Sequence, residues 1–226
     1  MAKPCHRKGL YNRYMVNTIV EKLFKNADHE TREGNYEKAI EMYEKAIEIC
    51  REDTPPVHLA HWGIGEIHLN NRRYEEARYH LSRAIELEPN EPIYHYLLGC
   101  TFRYINEIGS AIYHLQRAVD LDDSKDMYWC ELGWIVGFNQ DLERGIEYLK
   151  KALRINPLNS KALTDLSVLY AKGEKFSEAL VCIEEALKHD PDDIQIAEMQ
   201  ERLQFFKSEV ERLSGLSDSQ ETQEPR

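Results

Sequence analysis

Nine histidines and five cysteines are the side chains of this 226-residue chain best suited by type to metal or acid–base chemistry. His58, His61 and His68 fall close together on one segment of helical character. A zinc-type centre needs three or four converging ligands, and no cysteine or carboxylate partner stands at matching spacing. These histidines, with His95, therefore read as packed or hydrogen-bonded rings. Cys5, Cys50, Cys100, Cys130 and Cys182 are scattered and odd in number, with no Cys-x-x-Cys pair, which points to reduced and mostly buried thiols. Carboxylates are abundant but travel with cations at helical spacing, as in Glu41 and Lys45, the pattern of a solvated helix face. Neither a glycine-rich phosphate loop nor a nucleophile-elbow pattern occurs. The expectation is a chain with no catalytic residue, no metal and no cofactor.

Composition narrows the function classes further. Apolar residues make up 42% and charged residues 31%, which suits a folded chain. The net charge of −11 repels phosphate backbones, so nucleic acid is not the expected partner. No run of eighteen apolar residues exists to span a membrane. The start, Met1 to Gly9, is basic but is not followed by the apolar core of a signal peptide, so the expected compartment is the cytoplasm. Charge is uneven: residues 1–19 carry +4, residues 20–193 carry −12 and residues 194–226 carry −3. The basic arm reads as a solvated terminus, with docking on an acidic partner, or on this chain's own acidic repeats, as the alternatives.

The elements that position these side chains repeat. Ala39, Ala77, Ala111, Gly145 and Ala179 form one column, and Ala46, Ala84, Ala118, Ala152 and Ala186 form another seven residues later. The spacing is 34 residues throughout, except for 38 between the first two copies, where Pro55-Pro56 marks a loop. Small residues recur at Ala27, Gly65, Gly99, Gly133 and Ser167, and large ones at Tyr43, Leu81, Leu115, Leu149 and Ile183. Small beside large lets two helices approach closely and fills the space between them. Gly34-Asn35, Asn71-Arg72, Asn106-Glu107, Asn139-Gln140 and Gly173-Glu174 are the turns within each pair. Pro89, Pro157 and Pro191 end second helices.

Columns of this kind at this period resemble the tetratricopeptide repeat family over residues 20–193. The resemblance implies an all-α fold: an α-solenoid, a right-handed superhelix of five helix-turn-helix repeats (20–57, 58–91, 92–125, 126–159 and 160–193) with a C-terminal capping helix. Residues 1–19 read as a basic arm with a helical extension, 194–214 as the capping helix begun by Asp192 or Asp193, and 215–226 as a disordered tail.

In this family the first helix of each repeat lines an inner groove. The register then places Trp62, Glu66, Tyr96, Cys100, Arg103, Tyr104, Met127, Trp134 and Phe138 on it. None of the aromatic rings among them is needed by the packing columns, and an exposed aromatic surface marks a binding site. The alternative is that the rings fill a narrow groove themselves. Some members clamp acidic chaperone tails with two Lys, two Asn and one Arg; of the corresponding positions here only Lys161 fits, which excludes that role. In the last helix, Met199, Leu203, Phe206, Val210 and Leu213 follow a heptad seam suited to self-association into a homodimer. The resulting expectation is a non-enzymatic scaffold or adaptor holding a protein, peptide or helix. A self-assembling structural protein and an accessory subunit or chaperone of an enzyme are the competing readings.

Overall fold

A computed structural model describes the backbone over residues 5–50 and 57–220, and side chains over 18–50 and 57–212. Within these residues there are eleven α-helices and no strand. The chain divides into two compact units, Met1–Leu121 and Asp122–Arg226.

Unit 1 holds three helix pairs: α1 (Cys5–Arg32) with α2 (Tyr36–Ile49), α3 (Val57–Asn70) with α4 (Tyr74–Leu87), and α5 (Pro92–Tyr104) with α6 (Ile108–Leu121). Unit 2 holds α7 (Asp126–Asn139) with α8 (Leu142–Ile155), α9 (Ser160–Lys172) with α10 (Phe176–His189), and α11 (Ile194–Gln220) packed on α10. The helical extension expected before residue 20 is continuous with α1, which starts at Cys5. The expected end of the capping helix at residue 214 falls inside α11. Asp193 supplies its cap, accepting hydrogen bonds from the Gln195 and Ile196 amides at 2.8 and 3.1 Å.

The alanine and large-residue columns form the core. Ala39, Ala77, Ala111 and Ala179, with Leu81, Leu115, Leu149 and Ile183, are fully buried. A Cβ built on Gly65 would stand 2.7 Å from Leu81 Cγ, and one on Gly99 would stand 2.7 Å from Leu115 Cγ. Only glycine admits the leucine of the paired helix at that distance. Gly145 breaks the alanine column for the same reason. Its Cα faces Gly137 on α7, and an added methyl would overlap the Gly137 backbone. Here α7 and α8 meet backbone to backbone.

Four of the five turns within pairs contain a left-handed residue: Gly34 (φ 79), Arg72 (φ 60), Asn106 (φ 62) and Glu174 (φ 58). In the last turn it is Glu174, not Gly173, that takes the positive φ. The fourth turn closes differently, with Gln140 at φ −128 and the Gln140 and Asp141 amides both donating to the Val136 carbonyl at 2.9 Å.

Candidate partner-binding surface

In unit 1, Trp62 on α3 is half-buried and packs against the Ala77, Leu81, Leu97 and Leu98 cluster, as does Tyr96. Its indole Nε1 is buried and has no hydrogen-bond partner among the described residues. The indole N–H of Trp62 is therefore not offered at the surface. Glu66, one turn on, is half-buried; burial, then the nearby Asp28 carboxylate, pushes its carboxyl above the usual range. Asp28 accepts a hydrogen bond from the Tyr43 hydroxyl at 2.6 Å, tying α1 to α2. Cys100 is 6% exposed, so its thiol offers no surface.

At the end of α5 the chain builds a platform. Tyr104 is 50% exposed and stacks on Tyr74 of α4, with centroids 5.0 Å apart and planes 9° from parallel. The Arg103 guanidinium lies 4.3 Å from the Tyr104 ring centroid. Tyr74 comes thirty residues earlier in the chain, just after a turn, and the repeat register gave no reason to expect it here.

Unit 2 has its own version. Phe138, at the repeat position of Tyr104, is 48% exposed and stacks on Trp134 at 5.1 Å. Lys172 places its ammonium 4.6 Å from the Phe138 centroid and donates to the Phe138 carbonyl, and to that of Gly137 at 3.5 Å. A cation from α9 therefore covers both the ring and the carbonyl end of α7. Met127, at the other end of α7, is exposed.

Between the Met127 and Trp134 positions lies an ion network. Lys161 Nζ is 2.6 Å from Asp165 Oδ2, 3.2 Å from Glu131 Oε1 and 3.8 Å from Cys130 Sγ. Glu131 is 6% exposed. Burial raises the Asp165 carboxyl above its ordinary range although Lys161 pulls it down. Burial works against the Lys161 charge, but Glu131, Cys130 and Asp165 outweigh it and hold the ammonium protonated above the ordinary lysine range. Burial likewise pushes the Cys130 thiol up, so it is no nucleophile. Lys161 stood out in the sequence with Asp165 one turn on; that Glu131 of α7 closes on the same ammonium was not legible there.

On α11, Met199 and Leu203 pack into the core with Ile183 and Ile196. Phe206 and Val210 are exposed, and the Leu213 side chain lies outside the described residues. Phe206, with Val168, Ala171, Phe176, Met199 and Leu203, borders an apolar cavity of about 600 Å³. No described group of three or more His, Cys, Asp or Glu side chains could hold a metal ion. Among the described residues, no helix is long and apolar enough to cross a membrane.

Two tetratricopeptide repeat signatures match the chain, at residues 19–87 and 139–203, together more than half of it. The chain belongs to the tetratricopeptide repeat family, whose fold serves protein–protein interaction and is typically non-enzymatic. No curated protein matches it. Solved structures do. A tetratricopeptide repeat protein from Parabacteroides merdae aligns with a TM-score of 0.73 at 14% identity, over 92% of this chain and 81% of that one. MamA from Desulfovibrio magneticus aligns at 0.68 and 18% identity, over 78% and 97%. YrrB, described as a TPR protein with an unusual peptide-binding site, aligns at 0.64 and 21% identity, over 79% and 90%. At these identities the likeness is one of fold.

Proposed function

We propose that the chain is a non-enzymatic scaffold or adaptor that holds an apolar helix or extended segment on the first helices of its middle repeats. One observation carries the reading. Tyr104 and Phe138 occupy the same repeat position in different units, and each is a half-exposed ring backed by a second ring and a cation. A held ring offers apolar area without the entropy cost of ordering it on binding. Burying one such ring contributes about 1.5–3 kcal/mol, so a few anchors support micromolar affinity once association costs are met. YrrB is described as having a peptide-binding site, which supports a peptide ligand for this fold. Cys50, Cys100, Cys130 and Cys182 are buried and form no disulfide among the described residues, which suits a cytoplasmic setting.

Affinity capture with mass spectrometry tests this, run in parallel on the wild type, on Trp134→Glu and on a Tyr104→Ala/Phe138→Ala pair. A partner held by the wild type and lost from both variants supports the reading. Retention by variants of unchanged helicity ends it.

A second reading rests on α11. Phe206 and Val210 lie exposed along the seam that Met199 and Leu203 begin, next to the apolar cavity. Pairing of two chains through this helix would cover them. Light scattering on the full chain and on one ending at Gln204 tests it: a dimer mass lost on truncation supports pairing, and monomer masses for both refute it.

A further inference from the structure

We propose that two half-buried histidine–histidine bridges make unit 1 an acid-sensitive lock, closed at neutral pH and opened when both rings of a bridge take protons. His61 on α3 faces His80 on α4 with the two Nδ1 atoms 3.0 Å apart. One repeat later, His95 on α5 faces His114 on α6 at 3.1 Å. Each bridge joins the first helix of a repeat to its second. The same pair recurs at a spacing of 34 residues, so the arrangement belongs to the repeat architecture of unit 1.

The chemistry of the bond sets how it fails. A hydrogen bond between two imidazole nitrogens needs one N–H and one lone pair, so at least one ring must be neutral. In the second bridge the roles can be assigned. His95 Nε2 lies 3.1 Å from the Pro89 carbonyl oxygen, which only accepts. Nε2 therefore carries the proton, Nδ1 of neutral His95 is the acceptor, and His114 donates. One added proton is accommodated on His114 Nε2 with the bond intact, or on His95 Nδ1 if His114 exchanges tautomer. A second puts two N–H donors and two positive charges face to face, and the bond becomes a repulsion.

The surroundings supply little relief. His61, His68 and His95 are buried. Burial, then the charges of His61 and His68, pushes His80 down to about 4. Burial, then His95, pushes His114 down to about 4. His61, His68 and His95 are lowered too, first by burial. Of the charged side chains around the bridges, Arg83 opposes protonation of His61, Arg73 that of His68 and Arg117 that of His95, whereas Glu86 favours it at His61 and Glu76 and Glu44 at His68. The rings of Tyr79 and Tyr113 stand edge-on to His80 and His114. His68 lies 5.8 Å from His80, and its Nδ1 is buried with no hydrogen-bond partner among the described residues. Phe102, at the same position one repeat on, stacks on His114 at 5.4 Å, so a ring that never ionises suits that column.

The sign of the linkage follows. Folded values below the ordinary imidazole value of about 6.5 mean that the bridges contribute stability above that pH. The contribution is lost as pH falls toward about 4, where His80 and His114 protonate in the folded chain. At pH 5 each of these two rings weakens the folding equilibrium by roughly 30-fold. Tyr74 on α4 and Tyr104 on α5 stack between the two bridged pairs, so opening takes that contact apart as well.

Hydrogen exchange of the full chain, corrected for the intrinsic rate and read by segment from pH 7.5 to 5, tests the lock. Protection of α3–α6 is expected to fall at least 30-fold while that of α7–α10 holds, and a His80→Phe/His114→Phe chain should lose most of this acid response. Equal pH dependence in both units, or an undiminished response in the variant, overturns the proposal. Should the variant not fold, ring carbon spectra of the wild-type histidines decide. Bridged rings still neutral at pH 5.5, against free imidazole in the same tube, support the lock, and protonated ones refute it.

Discussion

In unit 1 imidazoles meet in facing couples between the two helices of a pair; in unit 2 Glu131 of α7 and Asp165 of α9 gather around Lys161 between the first helices of neighbouring repeats. Eight of the nine histidines lie in the first unit and only His189 in the second. Both solutions satisfy buried nitrogen and oxygen, but they respond to protons in opposite directions. The imidazole couples contribute stability above their unfolded value and lose it in acid. Asp165, whose folded value is raised, contributes stability at low pH that is lost as pH rises through that value. Lys161, also raised, loses its contribution only above the ordinary lysine range. One repeat architecture thus carries an acid-labile unit and an acid-tolerant one, because neutral bases join helices within pairs in one and an ion network joins α7 to α9 in the other.

The largest effect is expected from the backbone contact peculiar to unit 2. Gly145→Ala drives a methyl into the Gly137 backbone and should destabilise the fold by about 3 kcal/mol, since backbone cannot move aside as a side chain can. Gly109→Ala, in unit 1, meets open space and should stabilise by about 0.5–1 kcal/mol. Urea midpoints of the two variants check the contrast, and equal shifts would remove it.

Next comes the ion network. Lys161→Met leaves the buried Glu131 without its cation and should cost about 2 kcal/mol at pH 7, a value reduced because the lysine itself is half-exposed. The loss should shrink at pH 5, where Asp165, whose carboxyl burial raises, takes a proton more readily. Denaturation at both pH values measures it; a loss independent of pH would mean that the lysine stem's packing, and not its charge, matters.

The smallest effect concerns the turns. Glu174 holds a positive φ that glycine adopts without strain, so Glu174→Gly should stabilise unit 2 by about 0.5–1 kcal/mol. Gln140→Gly, at a turn with negative φ, should destabilise by about as much. Thermal midpoints of the two variants should move in opposite directions.

The residue columns alone determined the helix pairs, their register and the buried alanines. Each pair packs chiefly against its neighbours, so every contact recurs at the repeat period and leaves a periodic trace. That trace identifies which columns pack, but not what a given side chain meets across the interface. His61 and His95 stood in packing columns, yet their partners His80 and His114 became evident only when the two helices were laid face to face. Cys100 fell in the inner register by spacing and is buried by its neighbours. Tyr104 depends on Tyr74 from the preceding helix pair, and Glu131 on Lys161 from the following one. Periodicity encodes what every repeat shares, whereas the bridges, the ion network and the ring platforms arise where repeats differ. Those differences acquire partners only when helices distant in sequence are brought within a few ångströms.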